Sequence, residues 1–129
     1  KERGGTITEF EAKAFAFQLL QGLYFLHHER HLMHRDVKPA NILIHRSGAI
    51  KIADFGISRS QSGEAASVQT FVGSISYMSP ERLQGNSYGY EADIWSAGVV
   101  LYEAVTGAHP YHEDPSGPPP TFWTLLQKV

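Results

Sequence analysis

Cysteine is absent from the 129-residue sequence, which removes a disulfide framework and any thiolate-based zinc site from consideration. An excess of charge of either sign is also lacking. Eleven basic residues stand against 13 acidic ones, a formal net charge of −2, so nothing in the overall balance attracts nucleic acid or an anionic membrane surface. No apolar run reaches the ~18 residues that a membrane-spanning helix requires. The first five residues, Lys1-Glu2-Arg3-Gly4-Gly5, are not followed by the short apolar stretch of a secretory signal. Internal repeats are missing too, and the start carries no Met. The expectations are one soluble, cytoplasmic domain with no nucleic-acid partner and no membrane insertion, read as an internal piece of something longer.

What is present is enough for a core: 42% of residues are hydrophobic. From Thr8 to His28 the pattern is helical, with Phe15, Leu19, Gly22, Leu23 and Leu26 recurring at helical spacing. Thr8 and Glu11 have the spacing of a capping box, in which each side chain satisfies the other residue's backbone N–H. Phe10, Phe17, Tyr24 and Phe25 add apolar surface on other faces, as in a helix buried in a larger body. His31 to Asn41 is polar and interrupted by Pro39, and reads as a loop. Ile42-Leu43-Ile44 and Ile50-Lys51-Ile52, joined through His45-Arg46-Ser47-Gly48, predict a small hairpin. Residues 59–69 are rich in Ser, Ala, Gln and Gly and predict a long surface loop. A short helix is predicted at Ser79 to Leu83 with Pro80 in its first turn. A long one is predicted over Glu91 to Thr106, stopped by Gly107 as C-cap. A final helix opens at Phe122 after the Pro-rich stretch 115–120. Histidines 27, 28 and 31 are expected to be solvated side chains at a helix end, and Trp95 to be core.

The segment with the most chemistry is His34-Arg35-Asp36-Val37-Lys38-Pro39-Ala40-Asn41, followed 13 residues after Asn41 by Asp54-Phe55-Gly56. Singly, a His-Arg-Asp triplet is commonly a surface charge cluster and an Asp-Phe-Gly triplet a turn. Jointly, in this order and with a hairpin between them, they match the H-R-D…N catalytic loop and D-F-G metal motif of protein kinases. Moving a phosphoryl group to a hydroxyl needs in-line positioning and charge neutralisation more than covalent help. Asp36 has the chemistry to orient the attacking hydroxyl and accept its proton. Lys38 is spaced to offset negative charge on the transferred group. Asn41 and Asp54 offer the hard oxygen ligands that Mg²⁺ takes beside phosphate oxygens. Phe55 is placed to set where Asp54 points, and Gly56 to permit the turn.

The chain therefore resembles the C-terminal lobe of a eukaryotic protein kinase. The implied fold class is α+β, mostly helical, with a small β-hairpin by the catalytic loop and with the N-terminal lobe absent, residues 1–129 forming a partial kinase domain. Met78-Ser79-Pro80-Glu81 resembles the family's A-P-E motif. Asp93-Ile94-Trp95-Ser96-Ala97-Gly98 resembles its D-x-W-S-x-G helix start, whose Asp braces the catalytic-loop backbone. The resemblance implies ATP and Mg²⁺ as cofactors, Leu43 beneath the adenine, and Ser74 near Asp36 and Lys38 where Thr is commoner. It also implies that Arg35 pairs with a phosphorylated loop residue, since a phosphate brings roughly −1.5 to −2 charge and strong acceptors. Lys38 two places after Asp36 is the Ser/Thr-kinase pattern.

The run from Thr70-Phe71-Val72-Gly73 to Arg82-Leu83-Gln84-Gly85 is similar to the MAP kinase kinase family. That similarity implies Thr70 as an activating phosphosite, with Ser67 as the second because Ala66 occupies the position four upstream. It further implies a MAP kinase as protein substrate and an upstream activating kinase. No G-x-G-x-x-G loop or V-A-I-K-like lysine occurs, so the chain alone is expected to be inactive. No Arg follows Arg82 to pair with Glu81, and the two apolar helices lack covering layers, so the chain is expected to be marginal in stability. The competing expectation is a non-catalytic interaction module, either truncated or pseudokinase-like.

Overall fold

In a computed structural model the described residues are 7–54, 75–112, 117–118 and 120–129. Helix α1 spans Glu9–Tyr24 and starts with the expected capping box at Thr8. The Thr8 N–H donates to Glu11 Oε2 at 2.9 Å, and the Glu11 N–H to Thr8 Oγ1 at 3.3 Å. The helix stops at Tyr24. Phe25–Glu29 continues it as one wider π turn that brings His27 inward.

A three-residue helical turn, Pro39–Asn41, leads into strand β1 (Ile42–Ile44), which pairs antiparallel with β2 (Ile50–Ile52). Ile42 faces Ile52 and Ile44 faces Ile50, the predicted register. Gly48, at φ +84°, takes the left-handed turn position that a side chain would strain. Helix α2 is Pro80–Leu83, helix α3 is Glu91–Thr106, and helix α4 is Phe122–Lys128. Gly107 ends α3 at φ +74°, its N–H donating to the Glu103 carbonyl.

The main core joins Leu19, Leu23 and Leu26 of the first helical segment to Val37, Ile42, Ala97 and Val100. A second cluster holds Ile75, Leu83 and Leu125. Helix α1 rests on both α3 and β2. Gly22 makes the close approach possible, because a Cβ there would lie 2.8 Å from Ile52 Cδ1. Gln18 ties the hairpin to the helix in both directions. Its amide nitrogen donates to the Gly48 carbonyl at 3.1 Å, and its oxygen accepts from the Ile50 N–H at 3.0 Å.

In keeping with helices that lack covering layers, the two long helices are buried on one side only: Phe10 is 82% exposed, and Phe17, Tyr24, Ile94 and Tyr102 also face outward. One expectation changes here, that of Trp95 as core. Trp95 is half-buried, its Nε1 lacking a hydrogen-bond partner among the described residues. Glu81 is half-buried.

Candidate active site

The site is built on the loop between the π turn and β1, and its first determinant is a carboxylate below it. Asp93, in the first turn of α3, is 1% exposed. Its Oδ2 accepts from the His34 N–H at 2.7 Å, and its Oδ1 from the Arg35 N–H at 2.8 Å. A third bond comes from His27 Nε2, 2.8 Å from Oδ2. A carboxylate accepts without donating, so this His27 nitrogen carries a proton. The expected solvated histidine at position 27 is thus corrected. His27 is 5% exposed and stacks on Tyr90, ring centroids 4.5 Å apart, whereas His28 and His31 are exposed. A buried carboxylate would be costly alone, and three charge-assisted donors offset that cost.

His34 is the second fastening. It is fully buried. Its Nδ1 receives the Asp36 N–H at 3.2 Å, so Nε2 carries the proton and donates to the Ala53 carbonyl at 2.9 Å. The Ala53 N–H in turn donates to the Asn41 carbonyl at 2.8 Å. Asn41 closes the circuit, its side-chain nitrogen donating to the Asp36 carbonyl at 2.8 Å and to Asp36 Oδ2 at 3.0 Å. These bonds tie the loop bearing Asp36 to the end of β2, one residue before Asp54.

Around Asp36 the structure gathers two of the sequence-predicted residues. Lys38 Nζ lies 2.9 Å from Asp36 Oδ2, which also takes the Asn41 amide. With the Asn41 nitrogen committed to Asp36, Oδ1 is the atom that could face a cation. Asp54 is exposed and sits at φ +54°, a left-handed conformation that a non-glycine residue holds at a cost. An exposed carboxylate and an amide oxygen fit Mg²⁺, which uses few protein oxygens and completes its shell with water and phosphate. Among the described residues no three His, Cys, Asp or Glu side chains cluster to hold a metal unaided. Leu43, expected under the adenine, is exposed on β1. Arg35 is exposed at φ +69°, and its carbonyl accepts from Arg82 Nη1 at 2.7 Å. Phe55, Gly56, Ser67, Thr70 and Ser74 lie outside the described residues.

Sequence reasoning assigned no role to His27, His34 or Arg82. A signal existed for His27. It falls four residues after Leu23, and Leu23 four after Leu19, so it shares their buried stripe. Arg82 gave none, since its contact depends on a chain reversal 47 residues away.

A loop carrying Asp36, Lys38 and Asn41, braced from α3 and tied to the strand before Asp54, is the architecture of a protein kinase catalytic loop. The protein kinase domain profile matches residues 1–118, and the chain belongs to that family. Among its relatives, it is 51% identical over 106 residues to mitogen-activated protein kinase kinase SIPKK of Nicotiana tabacum, a match covering 82% of this chain and 30% of that protein. It is 54% identical over 94 residues to mitogen-activated protein kinase kinase 2 of Arabidopsis thaliana, covering 73% of this chain and 26% of that one. With dual specificity mitogen-activated protein kinase kinase 1 of Dictyostelium discoideum it shares 46% identity over 110 residues, covering 85% and 17% respectively. The chain thus spans less than a third of the length of these relatives. Among its described residues no helix is long and apolar enough to cross a membrane.

Proposed function

We propose that this chain is the catalytic-loop portion of a MAP kinase kinase-like protein kinase, which transfers phosphate from ATP to Ser or Thr, and also Tyr, of a MAP kinase in the cytoplasm. The observation that carries this reading is the convergence of Lys38 and Asn41 on Asp36 Oδ2, on a loop held by Asp93. In this reading Asp36 accepts the proton of the substrate hydroxyl and aims its oxygen at the phosphorus. Asn41 holds the Asp36 carboxylate in place through its amide nitrogen. Lys38 moves from pairing with Asp36 to sharing the negative charge on the transferred group. Asn41 and Asp54 would hold Mg²⁺, which when bound would neutralise the phosphates. Leu43 packs under the adenine, and Ser74, which lies outside the described residues, takes the part that the family resemblance gives it in catalysis.

Regulation follows from Arg35. An upstream kinase phosphorylates Thr70, with Ser67 as second site, and the phosphate pairs with the exposed Arg35 guanidinium. Residues 1–129 alone transfer no phosphate in this reading, because the sequence has no glycine-rich loop or strand lysine for the β- and γ-phosphates.

The test is to express the parent reading frame, wild type and Asp36→Asn, with Mg-ATP and a panel of inactive MAP kinases, mapping sites by mass spectrometry. Phosphate on both Thr and Tyr of a T-x-Y loop, absent from the variant, is the expected result. Transfer only to Ser/Thr of other proteins would retain the kinase and remove the MAP kinase kinase assignment. Absence of transfer, with Thr70→Glu included to mimic activation, would replace the enzyme by a binding module.

A further inference from the structure

The peptide that joins Arg35 to Asp36 is gripped at both ends. Its N–H, belonging to Asp36, donates to His34 Nδ1 at 3.2 Å. Its carbonyl, belonging to Arg35, accepts from Arg82 Nη1 at 2.7 Å. The preceding N–H, of Arg35 itself, is held by Asp93. Arg35 sits at φ +69°, a conformation that persists in a non-glycine residue only when its surroundings over-determine it. Asp93 and His34 hold the N–H groups on either side of this strained residue, and among the described residues Arg82 is the side chain bonded to its carbonyl.

Arg82 is itself prepared for that contact. It belongs to α2, whose next residue, Leu83, is buried with Ile75 and Leu125. Its guanidinium lies 5.1 Å from the Tyr88 ring centroid, a stacking that a lysine would not reproduce. The segment around α2 is therefore linked by one charge-assisted hydrogen bond to the backbone that carries Asp36.

We propose that Arg82 is a positioning residue: by holding the Arg35 carbonyl it keeps the Arg35–Asp36 peptide in the orientation that aims the Asp36 carboxylate, coupling the seating of α2 to the catalytic loop. The inference rests on the kinase reading for its effect on rate, but not for its effect on the loop. Loss of the bond frees the carbonyl end of the peptide to rotate about Arg35 ψ and Asp36 φ, which swings the Asp36 side chain away from Lys38 and Asn41. Binding of nucleotide is left to other groups.

The experiment compares wild type, Arg82→Met, Arg82→Lys and Tyr88→Leu in the parent kinase. Arg82→Met should lower kcat about tenfold or more while KM for ATP stays within about twofold, the pattern of misaimed catalytic geometry. Arg82→Lys should recover part of kcat, and Tyr88→Leu should lose less than Arg82→Met. Amide hydrogen exchange supplies an arm independent of turnover. The Asp36 N–H should exchange faster in Arg82→Met while the amides of α1 keep their protection. An unchanged kcat in Arg82→Met, or an unchanged Asp36 amide, would overturn the proposal. So would equal losses of stability and rate in Arg82→Met and Arg82→Lys, which would make the residue merely structural. A wild type without transferase activity would sink the kinase reading instead, and the exchange arm would still decide the role of Arg82. If Arg82→Met fails to fold, Tyr88→Leu decides by the same two readouts.

Discussion

His27 Nε2 and Asp93 Oδ2 lie 2.8 Å apart, in side chains 5% and 1% exposed, and the same oxygen receives the His34 N–H. The histidine completes the donor set of the carboxylate that holds the His34 and Arg35 backbone.

Asp93→Asn is the sharpest test of that arrangement. Whichever way the amide is turned, its NH₂ faces a main-chain N–H, of His34 or of Arg35, and a buried donor is left unpaired. The expected loss is about 3 kcal/mol of unfolding free energy, and His27→Phe, which keeps the ring on Tyr90, should cost about 1–3 kcal/mol. Urea unfolding midpoints measure both. A midpoint unmoved by Asp93→Asn would mean the loop does not depend on this carboxylate.

Gly22 sets how closely α1 approaches β2. The atom in the way of a new Cβ is Ile52 Cδ1, the free end of a side chain that can shift. Gly22→Ala should therefore stay within about 1 kcal/mol of wild type, helix propensity offsetting the crowding. Gly22→Leu should destabilise by about 1–3 kcal/mol through overpacking. Adding Ile52→Val should return part of that, a coupling that a double-mutant cycle of melting curves would read. Additive single effects would place the two side chains out of contact.

Tyr77 donates its hydroxyl to Glu103 Oε2 at 2.7 Å, and burial first, then this bond and the charge of Glu103, push its pKa well above the ordinary phenol value. The unfolded chain releases this proton near pH 10, so it binds fewer protons there than the folded chain. Stability from this group is full below about pH 10 and falls as pH rises above it. Absorbance titration of phenolate should show Tyr77 silent while exposed tyrosines ionise. Tyr77→Phe should remove that late step and reduce the alkaline loss of stability. A Tyr77 that ionises with the exposed set would contradict the buried contact.

His109 behaves oppositely. Burial lowers its pKa from 6.5, with Glu103 opposing and His112 adding to the shift, and its ring meets Tyr77 and Tyr111 edge-on. The unfolded chain therefore takes up the proton first on acidification. Stability is full above about pH 6.5 and declines as pH falls below it. His109→Phe should flatten that decline, measured as melting temperature against pH. An identical acid slope in the variant would assign the decline to other groups.

Much of this architecture is readable along the chain because it is decided within a few residues. The Thr8–Glu11 capping box, the Gly48 turn, Pro80 at the head of α2 and Gly107 at the end of α3 all stand where their local conformations require them. His34, Arg35, Asp36, Lys38 and Asn41 are legible as one group because a single loop carries them. His27 was misread because a helix end suggests solvent, although its spacing four residues after Leu23 already set it on the stripe that the helix buries. The outward face of α1 was legible as apolar surface without a covering layer, but not in its extent. Aromatic side chains at Phe10 and Phe17 state a hydrophobic surface, and only packing states which part of it is covered.

By itself the sequence determined the kinase motifs, their order, the hairpin between them and the caps of the helices. Each depends on side-chain chemistry or backbone sterics over a short span. The family resemblance had already implied that Asp93 braces the catalytic-loop backbone, as its bonds to the His34 and Arg35 N–H groups do; the tertiary structure alone decided that His27 joins them on Asp93, and that Arg82 reaches the Arg35 carbonyl. These partners lie 47 to 66 residues apart. Hydrogen bonds are too short-ranged to be foretold across such distances. They form because burying Leu19, Leu23, Val37 and Val100 against one another folds α1 and α3 onto the loop and brings the polar groups within 3 Å.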